Sequence, residues 1–278
     1  MKLQIKYTII DILKYIALIS FAIICIFPIV WLFITSFKTN EELFFSPWSL
    51  PNQWQFTNYI RAIVEGKVLT YFGNSVIVTV ATVFITIILS SMVSFAISRM
   101  TWKLSNLVYN IFLLGMMIPI YAMIIPLFNM FKHMGILNQH WAVIIPHVAT
   151  SFPLAIAIIT NFMNTISREI EESAVIDGCN IYQIFGGIVM PLSKSPIVTV
   201  AVIVFINAWN DLLLPQIFLT DTSKMTLPVG LTAFQGQYAT DYVTMIAAVM
   251  ISIIPAIVVY IFLHDRIMEG MAAGAVKG

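Results

Sequence analysis

Charge is what this 278-residue chain has least of: Asp, Glu, Lys and Arg make up 10% of it, while 60% is hydrophobic. A soluble domain carries about 25% charged residues. A core of this size cannot hide so much apolar surface from water, but a bilayer can. The few charges nearly cancel, to a net +1, and no basic cluster marks a nucleic-acid surface. The two cysteines, Cys25 and Cys179, fall in segments expected within a membrane span and on a cytoplasmic loop. No disulfide is expected between them, and no Cys/His spacing fits a metal site. The chain has no phosphate-cradling glycine loop, so it binds no ATP of its own. No Ser or Cys stands in a nucleophile motif with a histidine at suitable depth, which argues against an intramembrane enzyme. The apolar run Tyr15–Phe37 behind Lys2, Lys6 and Lys14 is too long for a signal core and lacks a small-residue cleavage site. It reads as a retained first span.

A spanning helix needs about 20 mostly apolar residues. Six stretches qualify: Tyr15–Phe37, Phe72–Ile97, Leu107–Phe131, Trp141–Met163, Ile197–Leu219 and Tyr242–Leu263. The expected fold is therefore an all-α integral membrane protein of six transmembrane helices. An even count puts both termini on one side. With the termini in the cytoplasm, nine of the fourteen basic residues lie inside and five outside, the direction of the positive-inside rule. Every span but the second holds proline (Pro28, Pro119, Pro126, Pro146, Pro153, Pro215 and Pro255). Each proline removes a backbone donor and is expected to kink its helix. The outer segment from Lys38 to Tyr71, with Trp48, Trp54 and Phe56 among prolines, reads as a short interfacial element.

The cytoplasmic stretch 165–196, TISREIEESAVIDGCNIYQIFGGIVMPLSKSP, is too polar at its start to span and too apolar at its end for a free linker. Two short helices fit. Ser167 is placed to cap the first, with Glu169, Glu171 and Glu172 near its positive end. Gly178 follows Asp177 where a residue at positive φ would stop that helix. Asn180 with Gln183 makes a variant capping box for the second. Ile181, Ile184, Phe185 and Ile188 then share a face, and Pro191 is expected to end the helix. Such an elbow is either a rigid knob for another protein to grip or a helix lying on the lipid surface. Its acidic polar face departs from the Lys/Arg preference of surface helices.

Glu172-Ser173-Ala174, three residues, Gly178, nine residues, then Ile188-Val189-Met190-Pro191 resembles the "EAA" loop of ABC importer permeases. Ser173 stands where that pattern has alanine and Met190 where it has leucine. Asp177 before the glycine resembles the sugar-permease version. Ser36-Phe37-Lys38-Thr39, Asn74-Ser75, Ala96 with Arg99, Trp209-Asn210-Asp211 and Thr226-Leu227-Pro228-Val229-Gly230-Leu231 look like the same family. The ending from Glu269 to Gly278 is similar to the tail of maltose-type sugar permeases, specifically the shorter of the two partners. The resemblance implies the ABC importer type I permease fold in a bacterial cell membrane. It divides the chain into a first span with its outer loop (1-71), a five-helix permease core (72-264) and a cytoplasmic tail (265-278). It further implies a cytoplasmic ATPase dimer that binds the ATP, a second and different permease subunit, an extracytoplasmic sugar-binding protein, and a sugar or oligosaccharide substrate. In the elbow, Glu172, Ser173, Ala174, Asp177 and Gly178 would meet the ATPase, with Ile184, Phe185 and Pro191 behind them.

The fifth span supplies a second candidate site. Asn207, Trp209, Asn210 and Asp211 combine an aromatic face with amide and carboxylate groups, which suits a sugar path. They equally suit a helix-packing network or an interface anchor. His147 and His264 have no metal-ligand pairing and are expected to be structural. A secondary transporter would need paired repeats with charged or unwound half-helices at mid-depth, and neither is visible.

Overall fold

The computed structural model describes the backbone of residues 2–237 and 241–275, and side chains over 11–232, at 234 and over 241–262. The side chains of Lys2, Lys6, His264 and Arg266, and those of the tail from Glu269 to Gly278, lie outside the described residues. All regular structure within them is helical: α1 (Lys2–Thr35), α2 (Asn40–Phe45), α3 (Thr57–Val64), α4 (Val68–Arg99), α5 (Ser105–Gly115), α6 (Ile124–Met134), α7 (Trp141–Met163), α8 (Glu169–Ile176), α9 (Ile181–Ile184), α10 (Met190–Leu192), α11 (Lys194–Asn210), α12 (Leu213–Phe218), α13 (Leu227–Gln237) and α14 (Tyr242–Ala275). A 3-10 turn, Ile120–Met123, precedes α6, and a π turn, Phe185–Val189, joins α9 to α10.

Four helices are long and apolar enough to cross a membrane alone: Asp11–Thr35, Val68–Arg99, Trp141–Met163 and Tyr242–Phe262. Counting each of two bent helix pairs as one span brings the candidates up to six, the number expected. The third span turns by 83° between Ser105–Gly115 and Ile120–Met134. Pro119 stands at that turn in extended backbone, where it offers no donor and disfavours helix in the residue before it. The second bent pair turns by 75° between Ile181–Leu192 and Lys194–Asn210, just ahead of the expected fifth span Ile197–Leu219, whose helix stops at Asn210 rather than running on to Leu219. Pro28, Pro146, Pro153 and Pro255 stay inside continuous helices.

The chain forms two compact units, Met1–Val68 with Leu231–Ile254, and Leu69–Gly230 with Pro255–Gly278. In the first unit, no residue from Asp11 to Ile34 is buried, a surface that lipid satisfies and water does not. Past its end, Lys38 is fully buried. Its ammonium donates to Ser46 O at 2.9 Å and Pro47 O at 3.1 Å, and burial lowers its pKa against the pull of Glu42. Asn58 fastens the same turn by donating to Ser36 O and Lys38 O. Arg61 pairs with Asp241 at 2.7 Å. Burial would raise the Asp241 pKa, but hydrogen bonds from Thr244 and Asn40, together with the Arg61 charge, hold it below the ordinary carboxylate value.

In the second unit, α4 buries a line of hydroxyls along its length: Ser75, Thr79, Thr82, Thr86, Ser90, Ser94 and Ser98. They recur every three or four residues, so one face of α4 is both small and polar. Without a hydrophobic drive between helices in lipid, small faces let backbones approach and hydroxyls bond across. Ser94 donates to Ile156 O on α7, and Ser75 accepts from the Leu227 N–H. Gly230 permits the nearby packing, since a Cβ there would collide with the Tyr71 ring. One apolar cluster joins α4, α7, the elbow and α11 through Phe95, Ile159, Met163, Ala174, Ile184 and Val204.

Candidate functional site: the elbow and the interrupted fifth span

The elbow begins with α8. Ser167 accepts the Glu169 N–H at 3.3 Å, one step ahead of the residue that immediately precedes the helix, Arg168. Gly178 has φ +84° with open space around it, the left-handed stop that a glycine follows without strain. Asn180 Oδ1 then accepts from the Tyr182 and Gln183 N–H groups, while Gln183 accepts the Asn180 N–H at 2.8 Å. Both signals stand where the sequence places them.

Pro191 does not end the second helix. It sits inside α10, after the π turn in which Met190 N–H reaches back five residues to Phe185 O. Widening the turn is how a helix passes a proline that cannot donate and whose ring crowds the preceding turn. The extra residue also shifts the apolar face. Ile184 and Val189 are buried with Phe185 and Ile188 packed beside them, whereas Ile181 is exposed. Phe185 meets Phe95 edge-on at 5.2 Å.

Of the predicted contact residues, Glu172, Ser173, Asp177 and Gly178 are exposed at the elbow and Ala174 is buried beneath them. Three apolar neighbours join them at the surface: Val175, Ile176 (85% exposed) and Tyr182 (82% exposed). The base is held by a pair that sequence spacing does not reveal. Arg99, at the end of α4, lies 2.9 Å from Glu171 Oε1, with side chains 3% and 15% exposed. Arg99 also donates to Met163 O and Ile166 O, and Arg168 to Ser98 O.

The second site surrounds the end of α11. A cavity of about 550 Å³ is lined by α7, α11, α12 and the 3-10 turn, with Asn207, Asn210, Asp211, His147, Thr150, Ser151 and Tyr121 as its polar groups. Trp209 does not line it. The indole is 4% exposed, stacked on Phe205 at 5.7 Å and edge-on to Phe72 at 5.6 Å. Three of the four predicted path residues therefore share one wall, and the fourth packs behind it. His147, expected to be structural, lies 3.1 Å from Asp211 Oδ2, which follows the end of α11. The available hint was that each is an ionisable residue in an apolar span, where such groups seek a partner. Among the described residues, no group of three His, Cys, Asp or Glu side chains could hold a metal ion.

The model of the family described as "Binding-protein-dependent transport system inner membrane component" matches residues 86–269. The putative ABC transporter permease protein ORF2 of Caldicellulosiruptor sp. (strain Rt8B.4) is 36% identical, over 95% of this chain and 96% of that protein. The trehalose/maltose transport system permease protein MalG of Thermococcus litoralis is 31% identical, over 96% and 97% respectively. A chain in the crystal structure of a bacterial ABC transporter involved in the import of the acidic polysaccharide alginate superposes with a TM-score of 0.81 at 24% identity, covering 92% of this chain and 96% of that one. That likeness shows a shared fold. The chain belongs to the binding-protein-dependent transport system inner membrane component family: it is a multi-pass cell-membrane permease subunit of an ABC importer, whose ATPase is a separate subunit.

Proposed function

We propose that this subunit imports a sugar or oligosaccharide as the shorter of two different permease partners, served by a cytoplasmic ATPase pair and an extracytoplasmic sugar-binding protein. Both termini face the cytoplasm in this reading, as the nine-to-five distribution of basic residues favours. The sugar class is supported by relatives such as the trehalose/maltose permease and by the hydroxyl and amide groups of the cavity wall. Asn207, Asn210 and Asp211 line the path, and Trp209 stiffens it from behind.

The observation that carries the coupling role is the build of the elbow: an exposed acidic and apolar tip on a buried, hydrogen-bonded base. Glu172, Ser173, Asp177 and Gly178, with Ala174 beneath them, engage the ATPase. Ile184, Phe185 and Pro191 pass its movement to α4 and α11, so ATP-driven closure rocks the helices between inward-open and outward-open states. The test is Gly178→Val. The space around Gly178 is open, so the change strains only the backbone, by about 1–2 kcal/mol. The variant should reach the membrane in normal amount yet lose sugar uptake, with ATP hydrolysis no longer answering to the binding protein. Normal uptake by Gly178→Val would remove the elbow from the coupling path.

A further inference from the structure

The contact between His147 and Asp211 joins two weak points. α11 ends at Asn210, and Asp211 follows in extended backbone, φ −69° and ψ 126°. Its Oδ1 accepts the Leu213 N–H at 3.1 Å as α12 begins, so one carboxylate spans the joint between two helices. His147 sits directly after Pro146 and six residues before Pro153. Those prolines deprive two turns of α7 of a backbone bond, and the Thr150 hydroxyl has turned to Pro146 O and His147 O. Both side chains are only 9% exposed. Imidazole Nε2 and carboxylate Oδ2 sit at ion-pair distance without a well-aligned hydrogen bond, and neither atom has another hydrogen-bond partner among the described residues. Such atoms are costly to bury, and both border the cavity.

We propose that His147 and Asp211 form a latch that holds the α11–α12 joint against α7, and that a polyhydroxylated solute releases it by taking over the carboxylate. This rests on the sugar reading above. A carboxylate accepts hydrogen bonds only, and two neighbouring hydroxyls of a sugar ring can supply them. Asn207, Asn210 and Thr150 stand on the same wall for the remaining hydroxyls. His147 is thus a positioning residue: it holds Asp211 until solute arrives, and the helix joint moves when the pair parts.

The test uses the complete importer reconstituted in liposomes, with maltose and trehalose as probes. His147→Gln and Asp211→Asn should each raise ATP hydrolysis in the absence of solute about fivefold or more. The double variant should be no worse than either single one, as expected of two residues acting as a unit. Additive effects, or solute-free hydrolysis unchanged in both singles, would overturn the latch. A second arm avoids reliance on losses. Asp211→Cys beside the native His147 offers an imidazole and a thiolate to Zn²⁺. Asp211→Cys should also raise solute-free ATP hydrolysis; micromolar Zn²⁺ should re-close the latch and bring that hydrolysis back down, a chelator should raise it again, and adding His147→Ala should abolish the Zn²⁺ effect. Zn²⁺ acting equally with and without His147 would refute the pairing. If the unmodified importer moves neither these sugars nor the diacetylchitobiose and arabinooligosaccharides of similar permeases, the sugar reading fails; if it moves one and the latch variants behave as wild type, only the latch fails.

Discussion

The elbow at 165–196 and the joint at 210–213 are both interruptions of a helix, but different forces build them. The elbow is assembled from neighbours: a glycine at positive φ, a reciprocal Asn180–Gln183 cap, and acids in the first turn of α8. Each acts over four residues or fewer. The joint depends on partners far away in the chain. Asp211 meets His147, 64 residues earlier, and Trp209 packs on Phe72. A locally built element can move as one rigid piece, which suits a handle. A joint held by distant contacts can open when those contacts exchange, which suits a passage.

Breaking each support in turn sharpens this contrast. The largest loss should come from Trp209→Ala. A buried indole in contact with Phe205 and Phe72 is expected to cost about 3–5 kcal/mol when truncated, read as a fall in Tm of the purified complex. A loss no larger than that of a lipid-facing tryptophan would mean the joint has other support. Next comes Glu171→Ala, which strands the buried Arg99 guanidinium and should cost about 3 kcal/mol. Glu172→Ala, one residue on and exposed, should leave Tm nearly unchanged while lowering uptake. If the two variants lose equal stability, the Arg99 tie is not what anchors the elbow. Asn180→Ala removes a single cap and should cost about 1 kcal/mol, detectable as faster hydrogen exchange confined to residues around 180–185. The smallest effect belongs to Thr86→Val. The Thr86 hydroxyl is fully buried with no hydrogen-bond partner among the described residues, so an isosteric apolar side chain should be neutral or slightly stabilising. A marked loss would show that the hydroxyl line on α4 acts through bonds rather than through small size.

The same division decides what could be read in advance. The second and fourth spans were legible because long apolar runs have few alternatives: α4 extends the expected Phe72–Ile97 by about a turn at its start and two residues at its end, and α7 occupies Trp141–Met163 as read. Proline was a poor guide to where spans break. Pro146, Pro153 and Pro255 ride inside continuous helices, whereas the third span turns by 83° at Pro119. Whether a proline breaks a helix depends on whether neighbours satisfy the freed carbonyls, and sequence carries no record of that. The π turn before Pro191 is a similar case. Counting at 3.6 residues per turn puts Ile181 on the buried face, and the one added residue brings Val189 there instead. In the fifth span, the amide and carboxylate residues Asn207, Asn210 and Asp211 line one cavity, but nothing in residue type says which way an indole turns.

Taken alone, the sequence determined that this is a membrane protein, where most of its crossings lie, and how its elbow is shaped, because hydropathy, helix caps and glycine conformation act within a few residues. Tertiary structure alone decided that Arg99 anchors the elbow through Glu171, that Trp209 packs behind the cavity rather than lining it, and that His147 faces Asp211. Those facts depend on which helices stand side by side, and burial makes the pairing of such distant polar groups worth several times what it would be in water.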